Sequence, residues 1–548
     1  MEEEMEMEER SKPIAIFMAF GTKGDVYPIA AIAAAFACDQ KQYNVVLITH
    51  SAHENLGHHL AGKHVAYHPI LSPPVLSTDQ NHETTTGSGL LELSFLLQKR
   101  MVTKEHRREC YSLVQRIFGC GQSLDGDFIV INFFALEGWS LAETFRVRCI
   151  VAAPYVVPYS APSSFERHFK KELPLLYRYL QEATTNKVCW KDVIHWMWPL
   201  FTDSWGSWRC DDLNLSPCPF TDPVTGLPTW HDMPSSPLLL YGFSKEVVEC
   251  PGYWPSNVRV CGFWFLPMEW QFSCKECSEI SALVSSGNLQ RKDELCSAHI
   301  DLHTFLKTVS TPPIFVGLSS VGSMGFLKNP QAFLYVLRTV IEITSYRFIL
   351  FTAGFEALDA AVHMIAAEAS SCSSQTQLSE DCISLFNSRL FCFTGSIFMV
   401  FLDIYVSYTC GHLVPLGKVT LFRAIQVAVS KMFGCNSSWG QISGTTAAAL
   451  HAGIPQVVCP FMLDQFYWAE RMFWLGVAPE PLKRDQLLPD QNDDMSIREA
   501  ANVLSRAIND ALSPKVKACA IELAERISLE NGVLEAVKTL KEELGCPD

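Results

Sequence analysis

Two doubly wound α/β domains facing each other across a cleft are predicted for this chain, and three observations carry the prediction. With 548 residues the chain exceeds what one ordinary core accommodates. Short unbroken apolar runs alternate with helix-like stretches, first over 13–153 and again from 313, as buried parallel strands with crossover helices do. A glycine-rich turn follows the first run of each series, Gly21-Thr22-Lys23-Gly24-Asp25 and Gly322-Ser323-Met324-Gly325. Such turns stand where open sheets present loops to ligands.

Pro13–Phe20 reads as a strand buried on both faces. The glycine turn follows, Tyr27 to Cys38 predicts an alanine-rich helix, and Asn44–Thr49 a second strand, completing a βαβ unit. Asp127–Asn132, a helix from about Glu137 and Cys149–Ala153 continue the alternation; Ser236–Tyr241 and Val258–Cys261 close it. Residues 266–312 are mixed in charge and poor in strand signal, so they predict a linker with a helix over His303–Val309. The second series contains Pro313–Gly317, a helix from about Pro330, Arg347–Phe351 and Leu390–Phe393. The expected division is an acidic tail 1–12, a first domain 13–265, a linker 266–312, a second domain 313–535 and a C-terminal tail 536–548. Residues 396–442 break the pattern inside the second domain.

Hydrophobic content of 48% with 18% charged residues describes a globular protein. A net charge of −15 without a basic stripe excludes a nucleic-acid binder. Met1–Arg10 lacks the basic start and apolar run of a secretory signal. Twenty cysteines show no paired metal spacing, Cys274 and Cys277 forming a lone CxxC, so reduced thiols in a cytoplasmic protein are expected. The apolar run from Ser396 is interrupted by Asp403 and falls short of the ~18–20 residues that span a bilayer. His50, His53, His58, His59, His64 and His68 lack metal-ligand spacing and are expected to be solvated. Trp196, Trp198, Phe201, Trp205 and Trp208 could line a lipophilic pocket or pack as core.

Ser443-Gly444-Thr445-Thr446 is the most informative stretch. A small-residue turn before a helix beginning near Thr445 would offer backbone N–H groups, threonine hydroxyls and a positive dipole end to an anion such as a diphosphate. An apolar strand is expected over Val457–Pro460, with Asp464 and Gln465 at its C-terminal end, where their oxygens suit sugar hydroxyls. Phosphate donors beside sugar-reading oxygens point to a nucleotide-sugar site. Asp25 could serve as a general base or simply cap the helix near Tyr27.

Taken in order, these motifs resemble the GT-B glycosyltransferases of the sterol 3-beta-glucosyltransferase family. Gly21–Pro28 matches that family's Gly-Thr-Arg-Gly-Asp-Val-x-Pro loop, and Gly322–Gly325 its Gly-Ser-Met-Gly loop. Pro460-Phe461, Asp464-Gln465 and Trp468 match its Pro-Phe-x-x-Asp-Gln-x-x-Trp run, and Gly476–Pro479 its tail. The likeness extends from about 13 to 535. It implies two Rossmann-like domains, the first binding an acceptor and the second a nucleotide sugar. The activity implied is inverting transfer of glucose from UDP-glucose to a hydroxyl of a sterol or other lipophilic acceptor, with peripheral membrane contact and without a metal or other cofactor. Asp25 would be the catalytic base. UDP-sugar contacts would come from Gly21, Thr22, Gly24, Gly322, Ser323, Ser443, Gly444, Thr445, Thr446, Asp464 and Gln465.

The chain departs from the family just before Ser443. Asn436-Ser437-Ser438-Trp439-Gly440-Gln441-Ile442 stands where His-His-Gly-Gly is expected, and an impaired nucleotide-sugar-binding isoform is the alternative reading. The codons of Met432–Gln441 can be chosen so that a one-base shift spells Cys-Leu-Ala-Ala-Ile-His-His-Gly-Gly. Residues from about 397 to 442 are therefore read as retained intron followed by a frame-shifted exon. Ala161–Glu166 also stands where sterol enzymes often show a Pro-His pair.

Overall fold

Ile14–Met18 forms β1, buried along its whole length, and it is an interior strand of a seven-stranded sheet. The computed structural model describes residues 10–73, 89–119, 123–154, 161–184, 186–201, 203–229, 236–250, 252, 254–255, 257–267, 270, 300–307, 313–317, 327–352, 354–370, 382–394, 442–461 and 464–546. They fall into two units. The first holds the chain up to Phe265 together with Asn531–Asp548, and the second lies between Leu266 and Glu530.

The first unit contains β1, β2 (Asn44–His50), β3 (Val65–Ile70), β4 (Phe128–Ile131), β5 (Arg148–Pro154), β6 (Leu239–Gly242) and β7 (Val258–Val260). Every pairing is parallel, and the order is β3-β2-β1-β4-β5-β6-β7. Ile16 lies opposite Val46 on one side and Ile129 on the other, all buried, which is why these strands are apolar without alternation. The chain builds outward from β1 through β2 and β3, then restarts beside β1 with β4. The order therefore reverses between β1 and β4, the place where doubly wound sheets open a crevice.

Helix α1 spans Lys23–Asp39, one turn earlier than the expected start at Tyr27. Proline is favoured at the first position of a helix, yet Pro28 lies inside this one. Bonds between Thr22 and Asp25 hold an extra turn ahead of the proline. Helices α2 (Leu56–Ala61), α3 (Gly89–Phe118) and α4 (Glu137–Phe145) follow, the last starting where predicted. Further along are α5 (Phe165–Glu172), α6 (Pro174–Glu182), the single turn α7 (Trp190–Asp192) and α8 (Asp203–Asp211).

The second unit carries a four-stranded sheet ordered β10-β11-β9-β8, from β8 (Ile314–Gly317), β9 (Phe348–Phe351), β10 (Cys382–Leu385) and β11 (Leu390–Phe393). Only β10 and β11 run antiparallel. The helices are α9 (Ile300–Lys307), α10 (Pro330–Ile343), α11 (Glu356–Ser370), α12 (Ile442–His451), α13 (Asp464–Trp474), α14 (Arg484–Leu487), α15 (Asp494–Ala511) and α16 (Pro514–Ile527). Helix α10 begins at Pro330 as predicted, capped by Asn329, whose Oδ1 accepts the Ala332 amide at 3.0 Å.

Two expectations fail here. The strand expected over Val457–Pro460 is buried and shares a core with Val316, Leu350 and Leu390, yet it joins no ladder among the described residues. Its backbone bonds run to the segment after α13: Gln456 donates to the Val477 carbonyl and Leu482 to the Val458 carbonyl. The stretch expected as a tail, 536–548, is largely helix. Helix α17 (Gly532–Leu544) packs on α1, with Lys541 Nζ 3.2 Å from Asp39 Oδ2 and Arg148 donating to the Glu543 carbonyl.

Candidate functional site

The glycine turn sits at the C-terminal end of β1, beside the strand-order reversal. Gly21 adopts φ +110°, and a side chain there would meet Asp25 Oδ2 at 2.7 Å, so only glycine fits. Thr22 is the N-cap of α1 and Asp25 its third residue. The Thr22 amide donates to Asp25 Oδ2 at 2.8 Å, and its hydroxyl to the same oxygen at 2.7 Å. Asp25 is only 1% exposed. Its capping role is thus met from inside the helix rather than ahead of it. Gly24 lies in the same first turn, and burial pushes the neighbouring Lys23 ammonium down from its ordinary value.

Polar groups that sequence reasoning missed surround this turn. Asn132, the residue after β4, is buried and bonds to backbone groups of Phe20, Asp25 and Phe134. His53 Nε2 lies 3.0 Å from the Gly21 carbonyl. His50 and His106 stand ring to ring at 5.2 Å, each packed on Phe20. His50 and His53 are both buried, contrary to the expectation that these histidines are solvated; His58 and His64 are exposed. The reason is that His50, the last residue of β2, packs on Phe20, and His53 is held against the Gly21 carbonyl. Burial, with the charges of His106 and His53, pushes His50 down to about 4. Among the described residues, no group of three or more His, Cys, Asp or Glu is placed to hold a metal ion.

Three residues of the aromatic cluster are core, while Trp198 and Phe201 are half-buried. Trp196, Trp205 and Trp208 are buried, and the Arg107 guanidinium lies 4.2 Å from the Trp205 ring and 3.6 Å from Glu137. A cavity of about 360 Å³ opens beside β3, lined by Ser51, Glu54, Gly57, His58, Tyr67 and Leu71 among others. It lies two strands from the reversal, so it is not assigned to the site.

In the second unit, α12 begins at Ile442 instead of near Thr445. Ser443, Gly444 and Thr445 therefore form the first helical turn, whose amides lack carbonyl partners within the helix. Thr446 is buried, at 2% exposed. Gly453, with φ +65°, ends this helix. Asp464 opens α13 rather than ending a strand. Gln465 is buried, and its Oε1 accepts the Phe461 amide at 2.9 Å, so that oxygen holds the bend into α13. Trp468 is core, at 1% exposed. Gly322 and Ser323, Cys274 and Cys277, and the departure over 396–441 lie outside the described residues.

No family model matches the chain. The fold is that of the GT-B glycosyltransferases: the crystal structure of the kitacinnamycin glycotransferase superposes with a TM-score of 0.50 at 12% identity, covering 97% of this chain and 100% of that one. Within that class the chain is similar to sterol 3-beta-glucosyltransferases, as its motifs led one to expect. One from Debaryomyces hansenii is 23% identical over 534 residues, covering 96% of this chain and 26% of that protein. Another, from Arabidopsis thaliana, is 36% identical over 110 residues, covering 19% of this chain and 16% of that protein. The chain thus spans about a quarter of the length of the Debaryomyces relative it matches end to end. No helix among the described residues is long and apolar enough to cross a membrane.

Proposed function

We propose that this chain transfers a sugar from a UDP-sugar, with UDP-glucose as donor, to a hydroxyl of a sterol or similar lipophilic acceptor, inverting the anomeric carbon. The observation that carries the reading is Asp25, a buried carboxylate on a glycine turn at the strand-order reversal of a glycosyltransferase fold. Asp25 takes the acceptor proton as the hydroxyl oxygen attacks the anomeric carbon. The bond from that carbon to the diphosphate oxygen breaks, and UDP leaves with the electron pair. The first-turn amides of α12, at Ser443, Gly444 and Thr445, with Thr446 following, stabilise the charge on the departing diphosphate. Those donors do the work of a cation, so the reaction runs without a metal. Gly21, Thr22 and Gly24 shape the acceptor side. Gly322, Ser323, Asp464 and Gln465 complete the donor site. The location proposed is cytoplasmic, with peripheral membrane contact through the lipophilic acceptor.

Calorimetric titration with UDP, together with turnover of UDP-glucose and a sterol, tests this. Asp25→Asn should lower turnover by about 10²–10⁴-fold while leaving UDP binding intact. Undiminished turnover in that variant removes Asp25 from its role. The second reading, an impaired nucleotide-sugar binder, rests on Asn436–Ile442 standing in place of His-His-Gly-Gly. UDP binding with no turnover in the unaltered chain would support it.

A further inference from the structure

The reversal of strand order brings the end of β4 alongside the end of β1, and one side chain bridges them. Asn132 is 1% exposed. Its Nδ2 donates to the Phe20 carbonyl at 2.8 Å and to the Asp25 carbonyl at 3.3 Å. Its Oδ1 accepts the Phe20 amide at 3.3 Å and the Phe134 amide at 3.2 Å. A side-chain amide has two N–H donors and two acceptor lone pairs, and here backbone groups engage all of them. Phe20 and Asp25 flank the glycine turn, and Phe134 lies on the loop leaving β4.

We propose that Asn132 is a positioning residue, a clamp that sets the height and tilt of the turn carrying Asp25. The proposal rests on the reading of Asp25 as the base. Three bonds from one rigid planar group reach Phe20 and Asp25 on either side of the turn, and the fourth anchors that group to Phe134 on its own loop, a hold that a single bond cannot give. His53, holding the Gly21 carbonyl, is a second strut from β2's side of the turn. A general base displaced by even an ångström loses much of its advantage, because proton transfer and attack need the acceptor oxygen at one place. Asparagine suits the task because both halves of its amide are used. An aspartate of the same shape would keep the acceptor oxygen but turn a second oxygen on two carbonyls.

The test uses the full chain in four forms: wild type, Asn132→Asp, Asn132→Ala, and Leu240→Ala on β6 as a control for general loosening of the first unit. Amide hydrogen exchange is read on peptides covering residues 19–27. The expected result is exchange faster by about tenfold or more in both Asn132 variants, and little changed in the control. Turnover should fall about 10- to 100-fold in the Asn132 variants with KM for UDP-glucose within about twofold of wild type. Unchanged exchange over 19–27, or an equal rise in Leu240→Ala, overturns the clamp even if no turnover is measurable. A loosened turn with undiminished kcat, in a protein where Asp25→Asn abolishes turnover, overturns the positioning role. Turnover retained in Asp25→Asn sinks the assignment of the base instead, while exchange still decides the clamp.

Discussion

Thr22 gives both of its donors to a single oxygen of Asp25, the amide at 2.8 Å and the hydroxyl at 2.7 Å. This pair starts α1 ahead of Pro28 and holds the carboxylate at the mouth of the strand-order reversal. Replacing Thr22 by valine keeps the shape and the amide but removes the hydroxyl. It should cost about 1 kcal/mol of stability, as losses of helix caps do, while Thr22→Ser should restore most of it. Urea unfolding of the three proteins reads the difference. Equal midpoints for valine and threonine would mean that the hydroxyl contributes nothing to the turn.

Arg209 is a second buried polar centre, at 0% exposed. It donates to the Ser216 carbonyl at 2.8 Å and to Ser140 Oγ at 3.0 Å, and pairs with Glu143 at 2.9 Å. Arg209→Met should destabilise the chain by about 3 kcal/mol, since it strands the acceptors that the guanidinium serves. Glu143 is partly exposed, so Glu143→Gln should cost distinctly less. A methionine variant as stable as wild type would show that the network contributes no net stability.

Acid should weaken the fold before carboxylates titrate. Burial pushes both His50 and His195 down to about 4 from an ordinary 6.5, and the charges of His106 and His53 add to the effect at His50. Between those values the unfolded chain binds more protons than the folded one. Stability is therefore complete above about pH 6.5 and falls as the pH drops toward 4, by up to ~1.4 kcal/mol per pH unit for each histidine. His106 and Glu109 face His50, and the Tyr241 hydroxyl lies 3.1 Å from His195 Nε2. Unfolding midpoints of wild type and His50→Gln between pH 7 and 4.5 test this, the variant showing the shallower slope. Parallel slopes would remove His50 from the explanation.

Gly532 opens α17 where the chain returns to the first unit. A β-carbon there would lie 2.3 Å from the Phe263 carbonyl oxygen and 2.5 Å from that of Gly262. Both are backbone atoms that cannot swing aside. Gly532→Ala should cost about 2–3 kcal/mol, despite alanine's better helix propensity. Thermal unfolding checks it, and a stabilised variant would mean that the helix start shifts freely.

The transcript makes a prediction independent of any structure. Codons 432–440, read one base later, should spell Cys-Leu-Ala-Ala-Ile-His-His-Gly. Direct sequencing of the message across codons 395–445 decides it, and any other shifted reading discards the retained-intron account.

Much of the fold was legible because its signals are local. The apolar runs at Ile14–Met18 and Phe128–Ile131 announce strands buried on both faces. Pro330 and Glu137 mark helix starts, and Gly21 marks a turn no other residue can make. The ordered motifs around Asp25 and Thr445 were enough to anticipate the likeness to sterol glucosyltransferases. The strand at Val65–Ile70, which carries a histidine and a proline, gave no such run and was not anticipated.

What the linear order of residues determined was therefore the kind of element where an apolar run, a proline or a glycine marks it locally, and which residue types stand at the two turns. The tertiary structure alone decided which strands are neighbours, that His50 and His53 face inward, that Gln465 turns an oxygen on Phe461, and that the last helix packs on α1. It alone joined Asn132 to Phe20 and Asp25, residues 112 and 107 positions away. Hydrophobic period and turn geometry are properties of a few consecutive residues. The partner of a buried polar group is whatever distant backbone the folded sheet brings within 3 Å or so of it, and nothing in a local pattern encodes that.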